Sequence, residues 1–385
     1  MSLVAQSIQD LPPSGIRKFF DIASQMQGVV SLGVGEPDFV TPWHIREEAI
    51  FSLEQRRTMY TSNAGLPELR EEIGRYVLKQ NGLCYDPETQ VLVTVGASEG
   101  IDIALRAIIN PGDEVLVVEP CFVSYKPCVA MAGGVPVTVP TSAANGFRVT
   151  ASDIQARVTA KTKAILLSYP NNPTGAVMRR EELEPIAVLL RALDIAVISD
   201  EIYAELTYGD TPHGSIASLP GMYDKTIVLG GFSKAFAMTG WRLGYVCGPA
   251  ELIAAMTKIH QYVVMCAPTT AQYGGLEALR NGAGSVAAMR EEYDARRRFM
   301  LGELRGMGLD CFEALGAFYL FPSIARFGLS SEEFCNRLLR EQRLAVVPGT
   351  AFGDCGEGYI RCSYAYSIDS IKEALRRLQA FIISL

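Results

Sequence analysis

The sequence predicts an α/β fold: a mostly parallel seven-stranded sheet flanked by helices, with a smaller α+β domain beside it. Three observations lead there. Short β-branched runs follow one another between residues 91 and 247, and they are continuously apolar rather than alternating, as in strands covered on both faces. Segments of helical period lie between several of them, and that alternation argues for parallel strands. The length, 385 residues, exceeds what one hydrophobic core usually serves.

Taken in order, the chain is rich in Gly and Pro to about residue 40 and reads as irregular there. A helical pattern covers 42–55, and a loop holds Tyr60-Thr61-Ser62-Asn63-Ala64-Gly65-Leu66-Pro67. Apolar residues at helical spacing then mark 68–80 (Leu69, Ile73, Tyr76, Val77). The strand candidates are 91–95, 114–118, 135–139, 164–167, 196–199, 226–229 and 244–247, with helices over 101–109 and 180–193. Past about residue 250 the strand rhythm fades. A long, charged amphipathic helix is expected over 285–307, then short strand-like pieces and closing helices over 331–342 and 367–383. The expected division is a large domain over 42–280 and a small one made of 1–41 plus 281–385.

Composition narrows the function. Lys+Arg 35 against Asp+Glu 42 gives a net charge of −7, which argues against nucleic acid or an anionic membrane as partner. The nine cysteines are odd in number and contain no C-x-x-C pair, so they read as reduced thiols of a cytoplasmic protein. Three histidines without metal-ligand spacing make a zinc site an unlikely expectation. No apolar run reaches the length of a membrane span, and Met1-Ser2-Leu3 opens no basic-then-apolar leader.

The chemistry concentrates where the predicted strands end. Gly231-Phe232-Ser233-Lys234 follows the run 226–229, and Arg242 comes eight residues after Lys234. A lysine at a strand mouth can lose its proton and attack a carbonyl, and an arginine fork suits a phosphate. An aldehyde and a phosphate on one molecule suggest pyridoxal 5′-phosphate. After 91–95, Gly96-Ala97-Ser98-Glu99-Gly100 opens a helix whose free N–H groups suit the phosphate, although such turns are common. After 164–167, Ser168-Tyr169-Pro170-Asn171-Asn172-Pro173-Thr174-Gly175 forms a rigid turn that aims an amide from the strand end; an Asx turn capping the next helix is the plainer reading. Asp200 ends an apolar strand, where a carboxylate needs a partner such as a protonated pyridine nitrogen. Taken alone it would more often be a helix N-cap. Tyr203 could reach the ring's phenolic oxygen, and Phe122 could stack on the ring.

Order and spacing together are more specific than any one element. Nearly the whole chain resembles the class I/II aminotransferases of the fold-type-I pyridoxal-phosphate family, in particular its bacterial aspartate-aminotransferase-like branch. The segments that carry the resemblance are SLGVGEPDF, MYTSNAGLPELR, GASEG, PGDEVLVVEPCFVSY, YPNNPTG, DEIYAELTY, GFSKAFAMTGWRLGY and VPGTAFG with YIRCSYA. The resemblance implies Lys234 as the Schiff-base lysine and general base, Asp200 as the partner of the ring nitrogen, and Tyr203 and Asn172 at its phenolic oxygen. Phe122 falls at the stacking position; Ala97, Ser98 and Arg242 fall in the phosphate cup. Arg361 matches the clamp on the substrate α-carboxylate, with Gly35 and Asn172 beside it. Tyr60 matches a tyrosine that reaches the neighbouring subunit's cofactor, which implies a homodimer with shared active sites. One departure stands out. Gly231 occupies a position where many relatives carry a phosphate-binding serine, a role that Ser233 could take.

The implied reaction is a ping-pong exchange of an amino group between an L-amino acid and a 2-oxo acid. The same scaffold also supports a carbon–sulfur β-lyase. A non-catalytic, aminotransferase-like regulator is the third reading; it is expected to carry a DNA-binding head, for which the motifs starting near residue 31 leave no room, and to be free to lose Lys234 or Asp200.

Overall fold

The computed structural model describes residues 3–9, 11, 26–210 and 212–385. The irregular reading of the first 40 residues therefore falls in part on 1–2, 10 and 12–25, outside the described residues. Twelve strands are formed among those described: β1 (Val30–Ser31), β2 (Val91–Thr94), β3 (Glu114–Glu119), β4 (Val135–Pro140), β5 (Thr162–Ser168), β6 (Ala196–Asp200), β7 (Thr226–Gly231), β8 (Gly244–Cys247), β9 (Tyr319–Leu320), β10 (Leu344–Ala345), β11 (Val347–Pro348) and β12 (Ile360–Ser363).

Seven of them build one sheet in the order β2-β8-β7-β6-β5-β3-β4. The pairs from β4 through β7 are parallel, and β8 runs against both β7 and β2. Each sequence-predicted strand is present, and most run one to three residues beyond the prediction because polar ends such as Asp200 remain in the ladder. The continuous apolar runs have the expected cause. Leu116, Ile165 and Val197 pack on one face, while Val115, Leu166 and Ile198 pack on the other.

Helices depart from prediction in two ways. Helix Gly96–Ile108 begins five residues before the predicted 101, because Gly96 at φ +74° turns the chain from β2 directly into it. Helices Ala250–Val263 and Thr269–Asn281 fill the stretch where only a loss of strand rhythm was read, and the short helices Tyr125–Met131 and Ala151–Gln155 are too brief to show a period. The predicted helices over 42–55, 68–80, 180–193, 285–307, 331–342 and 367–383 form as Trp43–Glu54, Pro67–Asn81, Arg180–Arg191, Ala283–Gly306, Ser331–Gln342 and Ile368–Ser384.

A second assembly surrounds the strands of the C-terminal third. β9, β12 and β11 form an antiparallel sheet, β1 joins β10 in parallel, and Phe318, Phe334, Leu338 and Phe381 lie in one core with the long helix's Tyr293 and Leu304. β1 therefore brings the segment Leu32-Gly33-Val34-Gly35 beside β12 and toward the ends of the large sheet; Ser363 N–H donates to the Leu32 carbonyl at 2.8 Å. Among the described residues, no helix is long and apolar enough to cross a membrane.

Candidate active site

Ligands gather at the carboxyl ends of parallel strands, because helix N-termini converge there. Here the segments that follow β2, β5, β6 and β7 bring Ala97, Asn172, Asp200 (the last residue of β6) and Lys234 to a common cavity of about 490 Å³. Every residue expected at the site lines this cavity except Tyr60, which is 79% exposed.

Lys234 stands three residues past β7, and its Nζ donates to the Gly35 carbonyl at 2.7 Å. Burial depresses its pKa to about 8. Glu36 opposes that shift, and the positive charges of Arg361 and Arg242 add to it. An amine in this condition is readily deprotonated near neutrality and is a competent nucleophile.

Asp200 closes β6 and is buried. Its Oδ2 accepts from the Tyr125 hydroxyl at 2.7 Å and its Oδ1 from the Ile202 N–H at 3.1 Å. Burial raises its pKa, against the two hydrogen bonds. No cation of the described residues forms an ion pair with it, so the carboxylate has room for one. The N-cap alternative fails, because residues 202–205 form a turn and no α-helix follows directly.

The YPNNPTG turn divides its two asparagines. Asn171 makes the Asx turn, its Oδ1 accepting from Thr174 N–H at 3.1 Å and from the Thr174 hydroxyl at 2.7 Å. Asn172 faces the cavity instead, and its Oδ1 accepts from Arg361 Nη1 at 2.9 Å. Arg361 rises from β12, donates from Nη2 to the Gly33 carbonyl, and lies between the Tyr319 and Phe352 rings at 4.4 and 4.7 Å. Its Nε is buried with no hydrogen-bond partner. A buried guanidinium with an unused donor invites a carboxylate.

The residues expected around a phosphate come together between the end of β2 and the start of β8. Arg242 adopts φ +52°, donates to the Thr239 carbonyl at 3.0 Å, and brings Nη2 so close to Gly96 that a Cβ there would lie 2.7 Å away. Ala97 and Ser98 open helix Gly96–Ile108 beside it, and Ser233 lines the same cavity. Phe122 packs edge-on against Tyr125 at 5.6 Å. Tyr203 shares its hydroxyl with Tyr319 at 2.8 Å.

Two residues of the site were missed in the sequence. Tyr125 binds Asp200, and Tyr319 links Tyr203 to Arg361. Tyr125 sits in the motif PGDEVLVVEPCFVSY, so its signal was present; Tyr319 lies in a weak two-residue strand without any.

Residues 27–378 match the family described as aminotransferase class I and II. The chain is a class I/II aminotransferase. It is 55% identical over 381 residues to YugH of Bacillus subtilis (strain 168), a protein named as an aminotransferase, covering 99% of this chain and 98% of that one. It is 48% identical to an aspartate aminotransferase of Pyrococcus abyssi, over 95% of each. The crystal structure of an aromatic aminotransferase from Pyrococcus horikoshii superposes with a TM-score of 0.91 at 45% identity, covering 95% of this chain and 99% of that one. This aminotransferase is therefore a transaminase, with the α/β architecture of its solved relatives.

Proposed function

We propose that this aminotransferase uses pyridoxal 5′-phosphate to carry amino groups from an L-amino acid to a 2-oxo acid in two half-reactions. The observation that supports it is convergence: a depressed lysine amine, a buried carboxylate without a cation, and two arginines meet in one cavity. These groups fit the cofactor's functional groups one by one. Asp200 suits a protonated ring nitrogen, which would supply the cation that its burial calls for. Arg242, Ala97, Ser98 and Ser233 suit the phosphate, Tyr203 and Asn172 the phenolic oxygen, and Phe122 the face of the ring.

When bound, pyridoxal phosphate supplies an aldehyde that links to amines and a ring that accepts the electron pair released at the substrate Cα. The protein does the rest. Lys234 serves as attachment point and then, once displaced, as the base that takes the Cα proton and returns it; a pKa near 8 suits both directions. Arg361 binds the α-carboxylate, and Asn172 and the Gly33 carbonyl hold its guanidinium in place. Asp200 keeps the ring nitrogen's proton, and Tyr125 holds Asp200.

The reading extends to assembly and place. Tyr60, exposed beside Met59, would reach a partner's cofactor in a homodimer with shared sites. The division 42–280 against 1–41 plus 281–385 is supported by the core around Phe318 and Phe334, drawn chiefly from residues past 281, although Tyr203, Leu206, Tyr208 and Ala237 also enter it. Nine cysteines without a disulfide suit the cytoplasm.

The test is a half-reaction. Wild type loaded with pyridoxal phosphate should lose its visible absorbance on addition of a suitable amino acid, release the matching 2-oxo acid, and regain the absorbance with a second oxo acid. Pyruvate and ammonia formed from cysteine-type substrates without any acceptor would refute the transfer reading.

A further inference from the structure

Glu99 lies in the first turn of helix Gly96–Ile108, one residue past the proposed phosphate cup, and the proposed reaction leaves it without a task. Its Oε2 accepts from the Val95 N–H at 2.5 Å, and its Oε1 meets His260 Nδ1 at 2.6 Å. The His260 side chain is wholly buried, and that of Glu99 is 10% exposed. His260 comes from the last turn of helix Ala250–Val263, a position that favours a cation. Its Nε2 has no partner. An orphaned buried ring nitrogen is costly, so the ring is held there by its one hydrogen-bonded partner, Glu99.

The electrostatic setting gives the pair a consequence. A helix N-terminus attracts one anion readily. A Glu99 carboxylate would compete with a phosphate for the same positive end and repel it at close range. Arg242, two residues before β8, brings its Nη2 against Gly96 at the start of the helix, and His260 meets Glu99 from helix Ala250–Val263. We propose that Glu99 and His260 form a buried pair that tunes how tightly the cup holds the cofactor's phosphate, His260 offsetting the charge that Glu99 places there. This rests on the pyridoxal-phosphate reading.

The sign of the effect separates this role from a structural staple. Cofactor-stripped protein is titrated with pyridoxal phosphate, followed by absorbance, and separately with inorganic phosphate, followed by the rise in Tm. Glu99→Gln removes the competing charge and keeps an acceptor for Val95, so both ligands should bind about two- to fivefold more tightly, the range that one charge at a helix terminus commands. His260→Leu leaves the carboxylate uncompensated, and both should bind more weakly by a similar factor. The double variant should return to within about twofold of wild type. If His260→Leu fails to fold, Glu99→Gln and the double variant still decide. Weaker binding of both ligands by Glu99→Gln would overturn the proposal and leave the pair a staple. A wild-type protein that takes up no pyridoxal phosphate would instead refute the underlying reading.

Discussion

Tyr125 shows how much a single buried hydroxyl carries. Burial disfavours Asp200 as an anion in its site, and the Tyr125 hydrogen bond at 2.7 Å is the chief contact that opposes this. Tyr125→Phe therefore raises the Asp200 pKa further. The acid limb of the kcat–pH profile should move to higher pH, and kcat should fall about ten- to a hundredfold, in line with roughly 1.5–3 kcal/mol for a hydrogen bond to a charged group. A pH-rate profile of the holoenzyme checks it. At this scale the sequence was legible where a motif's residue types declare a chemistry, as for Lys234 and Asp200, whereas Arg361 and the role of Asn172 were expected from the family resemblance alone. It was illegible where a residue acts through another. Tyr319 meets Tyr203 only because β9 pairs with β12, a contact between strands of two and four residues that leaves no period to read.

At the scale of elements, close approach of β8 to the helix after β2 shapes the proposed phosphate cup. A Cβ on Gly244 would lie 2.6 Å from both the Ala97 nitrogen and the Gly96 carbonyl carbon, and backbone cannot yield as a flexible side chain can. Gly244→Ala should thus push the strand from the helix, weaken pyridoxal phosphate by an order of magnitude or more, and lower Tm by several degrees. Gly240, with nothing within 4 Å of a built Cβ, should accept alanine without either effect. Cofactor titration and thermal melts of the two variants make the comparison. Gly231 falls between these cases, since its Cβ would meet the Ile202 Cδ1 side-chain end at 2.8 Å and backbone atoms of Gly244 and Leu243 only at 3.4 Å. The strands themselves were foreseen because a sheet covered on both faces demands unbroken apolar runs. Helices Ala250–Val263 and Thr269–Asn281 were not; the buried side of the second is made chiefly of Ala271, Gly274, Gly275 and Ala278, small residues that do not mark an apolar period.

For the whole molecule, a group of exposed apolar residues bears on the proposed dimer. Met59, Tyr60, Tyr262 and Val263 are exposed, and Met265 joins them. The two segments are tied together by hydrogen bonds from Asn63 to the Met265 carbonyl and from Thr269 to the Met59 carbonyl. A contiguous patch of this kind marks a protein interface. The protein should sediment as a dimer, and Tyr262→Asp should shift it toward monomer while weakening pyridoxal phosphate, because Tyr60 would then lose its partner's site. Analytical ultracentrifugation at several concentrations reads the first effect and cofactor titration the second.

The account rests on a covalent link between the amine at position 234 and an aldehyde cofactor. Borohydride reduction of the pyridoxal-phosphate-loaded enzyme, followed by peptide mass mapping, tests it most directly. The predicted result is one modified peptide, carrying the reduced cofactor on Lys234 and absent from Lys234→Ala. A label on another lysine, or no label in a protein that has bound the cofactor, would contradict it.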